Sequence, residues 1–320
     1  MRGNIKEKVL KSKTGSLLNK EINSFSYFNN FFYTTPVIIG EEYKKFLRKN
    51  FNTILTAASK TDYLIGGNVS TQKKFGYNFK GQLSRIGTID SKGDSLITKY
   101  TYVTDLPSSQ IASNFVYKNM IDSNIISYLL KEEVYIKKSG SSSETLISGR
   151  RYIYTNPVTS NKRIVRLSKV ELYDYSNSSW FSDIEYTQFD NKGNVLESKD
   201  KNGQFSCYVW GYNGLYLVAK VEGGLSLDWL KLAINGLSDI STTPLSGAMI
   251  NDAQNIIKKR WPSVKMTVYE YIPFVGLSKI INPSGKVTEY LYNASGKLKG
   301  IKDGNNQLLN EYFYSSDNKL

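Results

Sequence analysis

Two pairs of acidic residues offer the acid–base chemistry this sequence could support: Asp183 and Glu185 in DIEYTQFD, and Glu132 and Glu133 in KEEVYI. A carboxylate pair is the general acid and base open to a chain with no histidine, and it would suit glycoside hydrolysis. Ser-His-Asp and Cys-His nucleophile systems are excluded, because each needs an imidazole to relay the proton. The single cysteine, Cys207, cannot form an internal disulfide, and without histidine partners it cannot close a structural zinc site. In QFSCYVW it reads as a buried strand thiol. No catalytic, cofactor-binding or metal-binding residue is therefore assigned, and no cofactor is expected. A second chemistry comes from 24 tyrosines and an excess of 42 Lys and Arg over 28 Asp and Glu, a net charge of +14. Tyrosines and lysines exposed together would bind glycans or polyanions by stacking and cation attraction.

The basic residues are dispersed, in short clusters such as Lys73-Lys74, Lys137-Lys138 and Lys258-Lys259-Arg260, which argues for a solvated basic exterior rather than specific nucleic-acid binding. The first residues, MRGNIKEKVLKSKTGSLL, carry charges but no apolar run of the kind a secretory signal needs. No apolar stretch reaches the ~18 residues that a membrane-spanning helix requires.

The elements that must position these groups are mostly strands. Short runs rich in Tyr, Ile, Val and Thr alternate with Gly, Asn, Asp and Ser. In DIEYTQFD, Ile184 and Tyr186 share one face, and Glu185 and Thr187 the other. In MTVYEYI, Met266, Val268 and Ile272 oppose Thr267, Tyr269 and Tyr271.

A unit of about twenty residues repeats. Phe189-Asp190-Asn191-Lys192-Gly193-Asn194-Val195, Tyr292-Asn293-Ala294-Ser295-Gly296-Lys297-Leu298 and Tyr77-Asn78-Phe79-Lys80-Gly81-Gln82-Leu83 share an aromatic, then Asp or Asn, then Gly three residues on, then an aliphatic. A further Asp follows each: Asp200, Asp303 and Asp90. The turn Asp200–Gly203 before Tyr208 is matched by Asn282–Gly285 before Tyr290. Asp or Asn can bond its own backbone two residues on, Gly takes a positive φ, and the aromatic anchors the strand against its neighbour. Two strands are too few to fold alone, so stacked units must pair laterally.

The pattern breaks over 222–264. Ser226 reads as a helix N-cap, with Leu227, Leu230 and Ile234 at helical spacing before Gly236. A second helix places Met249, Ala253, Ile256 and Ile257 on one stripe, with Lys258, Lys259 and Arg260 at its C-terminal end and Pro262 beyond.

The aromatic-Asp/Asn-x-x-Gly-x-aliphatic units resemble the YD repeats of RHS-type proteins. SCYVWGYNGLYLVAKVEG (206–223), YEYIPFVGLSKIINPSGKVTEYLYNASGKLKGIKD (269–303) and KNMIDSNIISYLLKEE (118–133) are similar to segments of long exported bacterial members, so the resemblance covers most of the chain. It implies a mainly β fold: tandem YD-type hairpins in a curved, continuous antiparallel sheet, a partial RHS shell, with a small two-helix insertion. The expected organisation is a β region over 1–221 with degenerate repeats, the insertion over 222–264 and terminal repeats over 265–320. The implied function is non-enzymatic: part of a β-shell that encapsulates a polypeptide, as in polymorphic toxin carriers, or mediates contact with other cells.

Expected partners are the remainder of a longer RHS parent or an encapsulated polypeptide, and cell-surface glycans. The implied setting is export or the cell surface. The family's usual Arg after the glycine is replaced by Asn194 and Lys297, and Asn stands for the motif's Asp at positions 78 and 293. The family's self-cleaving aspartyl site has no matching motif, and Asn282-Pro283-Ser284-Gly285 reads as an ordinary turn. A glycan- or polyanion-binding module and a glycosidase-type enzyme stand as alternatives.

Overall fold

Hairpin chemistry governs the observed architecture. A computed structural model of the chain describes residues 5–28, 32–39, 42–49, 52–90, 92–157, 164–233 and 247–314. The strands are β1 (Glu7–Lys11), β2 (Leu17–Phe28), β3 (Phe32–Ile39), β4 (Glu42–Lys49), β5 (Asn52–Leu64), β6 (Gly67–Tyr77), β7 (Leu83–Ile89), β8 (Ser95–Tyr102), β9 (Leu129–Lys137) and β10 (Thr145–Thr155). They continue as β11 (Arg166–Asp174), β12 (Ser179–Phe189), β13 (Val195–Asp200), β14 (Phe205–Gly211) and β15 (Tyr216–Glu222). The last five are β16 (Lys265–Ile272), β17 (Gly276–Ile281), β18 (Val287–Tyr292), β19 (Leu298–Asp303) and β20 (Leu308–Glu311).

The fold is mainly β, as the repeats predict. Hydrogen bonding assigns eighteen strands to one sheet, while β3 and β4 pair with each other. The chain forms two compact units, residues 1–153 with 171–181 and residues 154–170 with 182–320.

Seven turns share one pattern. The side-chain oxygen of Asn78, Asp90, Asp190, Asp200, Asn282, Asn293 or Asp303 accepts from the backbone N–H groups two and four residues on, at 2.8–3.1 Å. The residue three positions on donates its own N–H back to the carbonyl of the opener. That residue adopts φ between 64° and 84°: Gly81, Gly93, Gly193, Gly203, Gly285, Gly296, and in the last turn Asn306. This is a type I turn closed by a left-handed residue, and the extra residue gives the neighbouring ladder a bulge. Register shifts beside Tyr77, Phe189 and Tyr292 record it. Ser12 builds a hydroxyl version of the same turn between β1 and β2, donated to by Ser16 N–H.

In the first unit, β1 pairs with β2, β2 with β5, and the ladder then runs in sequence to β10. Two helices that the sequence reading did not anticipate, α1 (Ser108–Ser113) and α2 (Phe115–Asp122), interrupt it between β8 and β9. Asn114 caps α2 by accepting from Val116 and Tyr117 N–H. Here Ile97, Val103, Met120 and Leu130 are buried.

In the second unit, β12 to β20 pair in chain order. Helices α3 (Leu227–Ala233) and α4 (Gly247–Arg260) fall between β15 and β16, where helical spacing predicts them. Leu227, Leu230, Ala253 and Ile257 join Cys207, Val209, Val218, Val221, Met266 and Val268 in the core. Ile256 departs from the predicted stripe and is 41% exposed, and Ile234 and Gly236 lie outside the described residues. Ile272, placed by alternation with Met266 and Val268, is exposed at the last position of β16, while those two are buried.

The start of α3 is held from a distance. Ser226 occupies the cap position, its carbonyl accepting from Leu230 N–H. The first helical N–H, that of Leu227, donates to the carboxylate of Glu197 on β13 at 2.6 Å. The same carboxylate accepts from Thr187 Oγ1 at 2.5 Å, and Glu197 is only 4% exposed. A buried anion at a helix N-terminus is favourably placed against the partial positive charge there.

Two stability experiments follow from these contacts. A Cβ at Gly285 meets nothing within 4 Å, so Gly285→Ala loses only the left-handed preference, about 1–2 kcal/mol. At Gly193 a Cβ would lie 2.5 Å from Ile164 Cγ2, so Gly193→Ala destabilises distinctly more in urea unfolding; equal losses would contradict the clash. Glu197→Ala leaves the Leu227 N–H unsatisfied and lowers stability by about 1–3 kcal/mol, with Glu197→Gln intermediate, measured the same way.

Candidate functional site

The four carboxylates singled out by sequence do not converge on one cleft. Glu132 and Glu133 are adjacent on β9 and point to opposite faces. Glu132 lines a cavity of about 210 Å³ with Val134, Ser148, Gly149 and Arg150, whereas Glu133 accepts from Tyr135 Oη at 3.3 Å. Asp183 and Glu185 lie on β12, where Glu185 is opposite Lys199. Three further cavities, of about 350, 630 and 420 Å³, contain one carboxylate among them, Asp303, whose Oδ1 already accepts two turn N–H groups. Among the described residues no three Cys, Asp or Glu side chains group as metal ligands.

Cys207 is fully buried on β14, and its thiol donates to the Leu225 carbonyl at 3.2 Å. Burial pushes its pKa up to about 12, so the thiolate that would be a nucleophile is not populated near neutrality. Asn282-Pro283-Ser284-Gly285 forms a turn of the common pattern, with Asn282 Oδ1 accepting from Ser284 and Lys286 N–H.

The tyrosines show where the recurring side chains act. Tyr77 Oη donates to Leu55 O at 2.8 Å, Tyr102 Oη to Leu83 O at 3.1 Å, Tyr292 Oη to Leu277 O at 2.8 Å and Tyr314 Oη to Leu298 O at 2.9 Å. Each phenol thus reaches a backbone carbonyl of an adjacent strand, from the last residue of β6, β8 or β18 or, for Tyr314, from just past β20. Trp210 Nε1 does the same to Val195 O at 2.7 Å. The rings are half-buried, and desolvation raises the pKa values of Tyr77, Tyr102 and Tyr292. Tyrosines at strand period are therefore brackets between strands here. Tyr175 and Tyr312 are exposed, at 57% and 41%.

The residues after the turn glycines, Asn194 and Lys297, have local partners. Asn194 Nδ2 bridges Asp190 Oδ2 and Gly214 O, both at 2.9 Å, tying one turn to the next. The Lys192 ammonium reaches the Asn213 carbonyl from the same turn. Lys297 Nζ sits 4.9 Å from the centre of the Tyr314 ring. At the neighbouring hairpin end, Tyr212, Asn213 and Gly214 are all left-handed, at φ 52°, 58° and 74°. There Tyr216 stacks on Tyr271 at 4.7 Å, and Tyr212 meets both rings edge-on. Nothing in the local sequence around Trp210 or Glu197 announces a non-local bond: Glu197 stands opposite Cys207 on the covered face, whereas Trp210 alternates with the buried Cys207 and Val209 and lies on the other face.

No protein-family model matches this chain, and no curated protein matches it. Solved structures similar to it include the TcdB2-TccC3-Cdc42 complex, at 10% identity and TM-score 0.36, covering 95% of this chain and 15% of that one. TcdB2-TccC3 matches at 10% identity and TM-score 0.36, covering 98% and 16%. The Tc holotoxin pore of Photorhabdus luminescens matches at 10% and 0.31, covering 96% and 18%. The chain thus spans less than a fifth of the length of these solved chains.

Burial of the bracketing phenols makes stability depend on alkaline pH. The neutral phenol is the form the fold favours, so folded pKa values lie above the unfolded value near 10. The contribution is complete below about pH 10 and is lost as pH rises through the folded values. Urea midpoints measured from pH 8 to 11.5 fall above pH 10. Tyr292→Phe loses about 1 kcal/mol at pH 8 and shows a shallower alkaline fall; an unchanged profile would remove Tyr292 from this role.

Proposed function

We propose that the chain is a non-enzymatic wall: a segment of strand-paired hairpins that forms part of a larger β-shell, in an exported or cell-surface setting, and encloses a polypeptide or meets another cell. The observation that carries this reading is the use of the repeat's polar groups. The Asp and Asn oxygens bond turn backbone, and the recurring tyrosines bond carbonyls of adjacent strands. Both residue types that could have served a substrate are engaged in building sheet. The carboxylates suggested for acid–base work lie apart from a shared cleft, which favours the wall over the hydrolase.

A wall segment must also continue. Among the described residues strand β20 pairs with β19 alone, and all four of its residues are exposed, including Leu308 and Leu309 at 48% and 54%. Tyr312 N–H donates inward to Lys299 O at 2.9 Å, so by strand alternation the N–H and carbonyl of Glu311 face away from β19. Such an edge accepts another strand from the continuing chain or from a partner.

Size-exclusion chromatography with light scattering across micromolar to millimolar protein provides the test. The chain associates with rising concentration, and Glu311→Pro, which removes the outward N–H, shifts association to at least severalfold higher concentration. A monodisperse monomer over the whole range would overturn the open-wall reading.

A further inference from the structure

One sheet face in the first unit carries a trough that the wall does not need. Three rows of paired residues define it. Gln72, Ile89, Ser95 and Lys137 lie side by side across β6, β7, β8 and β9. Lys74, Gly87, Ile97 and Tyr135 form the next row, and Gly76, Arg85, Lys99 and Glu133 the third. Opposed residues on paired strands share a face, so all twelve project to one side.

A cavity of about 420 Å³ opens there, floored by Gly87, Ile89 and Ile97 and flanked by Lys74, Lys137 and Arg85. A Cβ built on Gly87 meets nothing within 4 Å, although glycine within a strand forgoes packing and is entropically unfavourable. Gly87 has no positive φ to justify it. Its missing side chain leaves space directly above an apolar floor. Arg85 and Lys99 are engaged by the Glu144 carboxylate at 2.8 and 2.6 Å. Lys74 and Lys137 have no ion-pair partner among the described residues, so the trough carries two uncompensated cations at its margins, on β6 and on β9.

We propose that this trough binds a small organic anion: an aromatic or aliphatic body lying over Gly87 against Ile89, with Ile97 buried beneath, and a carboxylate or sulfonate held by Lys74 or Lys137. Apolar floor and cationic margin together match such an amphiphile, whereas a neutral hydrophobe would leave both lysines unused and a bare inorganic anion would leave the floor wet. The site is independent of the open edge at β20, so either can fail without the other.

The probe is 8-anilinonaphthalene-1-sulfonate, with N-phenyl-1-naphthylamine as a neutral control of similar body, titrated by fluorescence and calorimetry at low ionic strength. The sulfonate binds at one site and the neutral compound about tenfold more weakly or less. Exposed ion pairs contribute a few-fold each, so Lys74→Ala with Lys137→Ala together weaken the sulfonate by about tenfold, and added salt does likewise. Gly87→Val fills the trough with a residue suited to strands and abolishes the binding, while its circular dichroism and melting temperature stay at the wild-type level or above. Sulfonate binding unchanged in Gly87→Val, equal binding of the neutral compound, or no binding to the wild type would each overturn the site. Should Gly87→Val fail to fold, the paired lysine variants and the neutral control decide it alone.

Discussion

Backbone carbonyls and amides at strand ends set the terms for this fold. A hairpin turn leaves several polar main-chain groups without a ladder partner, and most described side chains outside the helical cover are only half-buried. The chain answers with side chains of fixed type. A carboxylate or amide oxygen gathers two turn N–H groups, and a phenol or indole from the adjacent strand supplies a neighbouring carbonyl. Because each bracket spans adjacent strands, turn chemistry and lateral pairing reinforce one another, which is the agreement between local and global preference that well-folding sequences show. The repeat is thus a unit of backbone satisfaction more than one of core packing.

Core packing is concentrated where helices cover strands. In the second unit α3 and α4 bury one face of β14 to β16, and the fully enclosed residues gather there. Elsewhere side chains are mostly half-buried, and β1 and β20 are exposed along their whole length. The carboxylate of Glu197 fastens the helical cover to β13, so loosening that one bond frees the first turn of α3 and the edge of the core together.

The hairpins were legible in the sequence because their determinants are local. Asp190, Asn293 and Asn78 each announce a turn through an aromatic before and a glycine three residues after, and the second openers, Asp200, Asp303 and Asp90, follow at near-constant spacing. The helical interruption over 222–264 was legible for the same reason, through leucines at helical spacing. Helices α1 and α2 were not, since six and eight residues carry little periodicity, and only Pro107 and the cap at Asn114 mark them. Ile256 was misplaced because consecutive residues point about 100° apart on a helix, and Ile257, with Ala253, takes the covered side. The candidate anion site is the least legible feature. It depends on which residues of four strands stand in register, and a lone glycine in SRIGTI looks like a weak strand until its neighbours are known.

The solitary thiol of Cys207 has a further meaning for how this molecule moves. It is enclosed by the helical cover, hydrogen-bonded to Leu225 and protonated at ordinary pH, so an alkylating reagent can reach it only when that cover lifts. The chain holds no competing sulfhydryl. The rate at which it takes up a label is therefore a clock for the breathing of one defined patch, built into the native protein without any engineered probe.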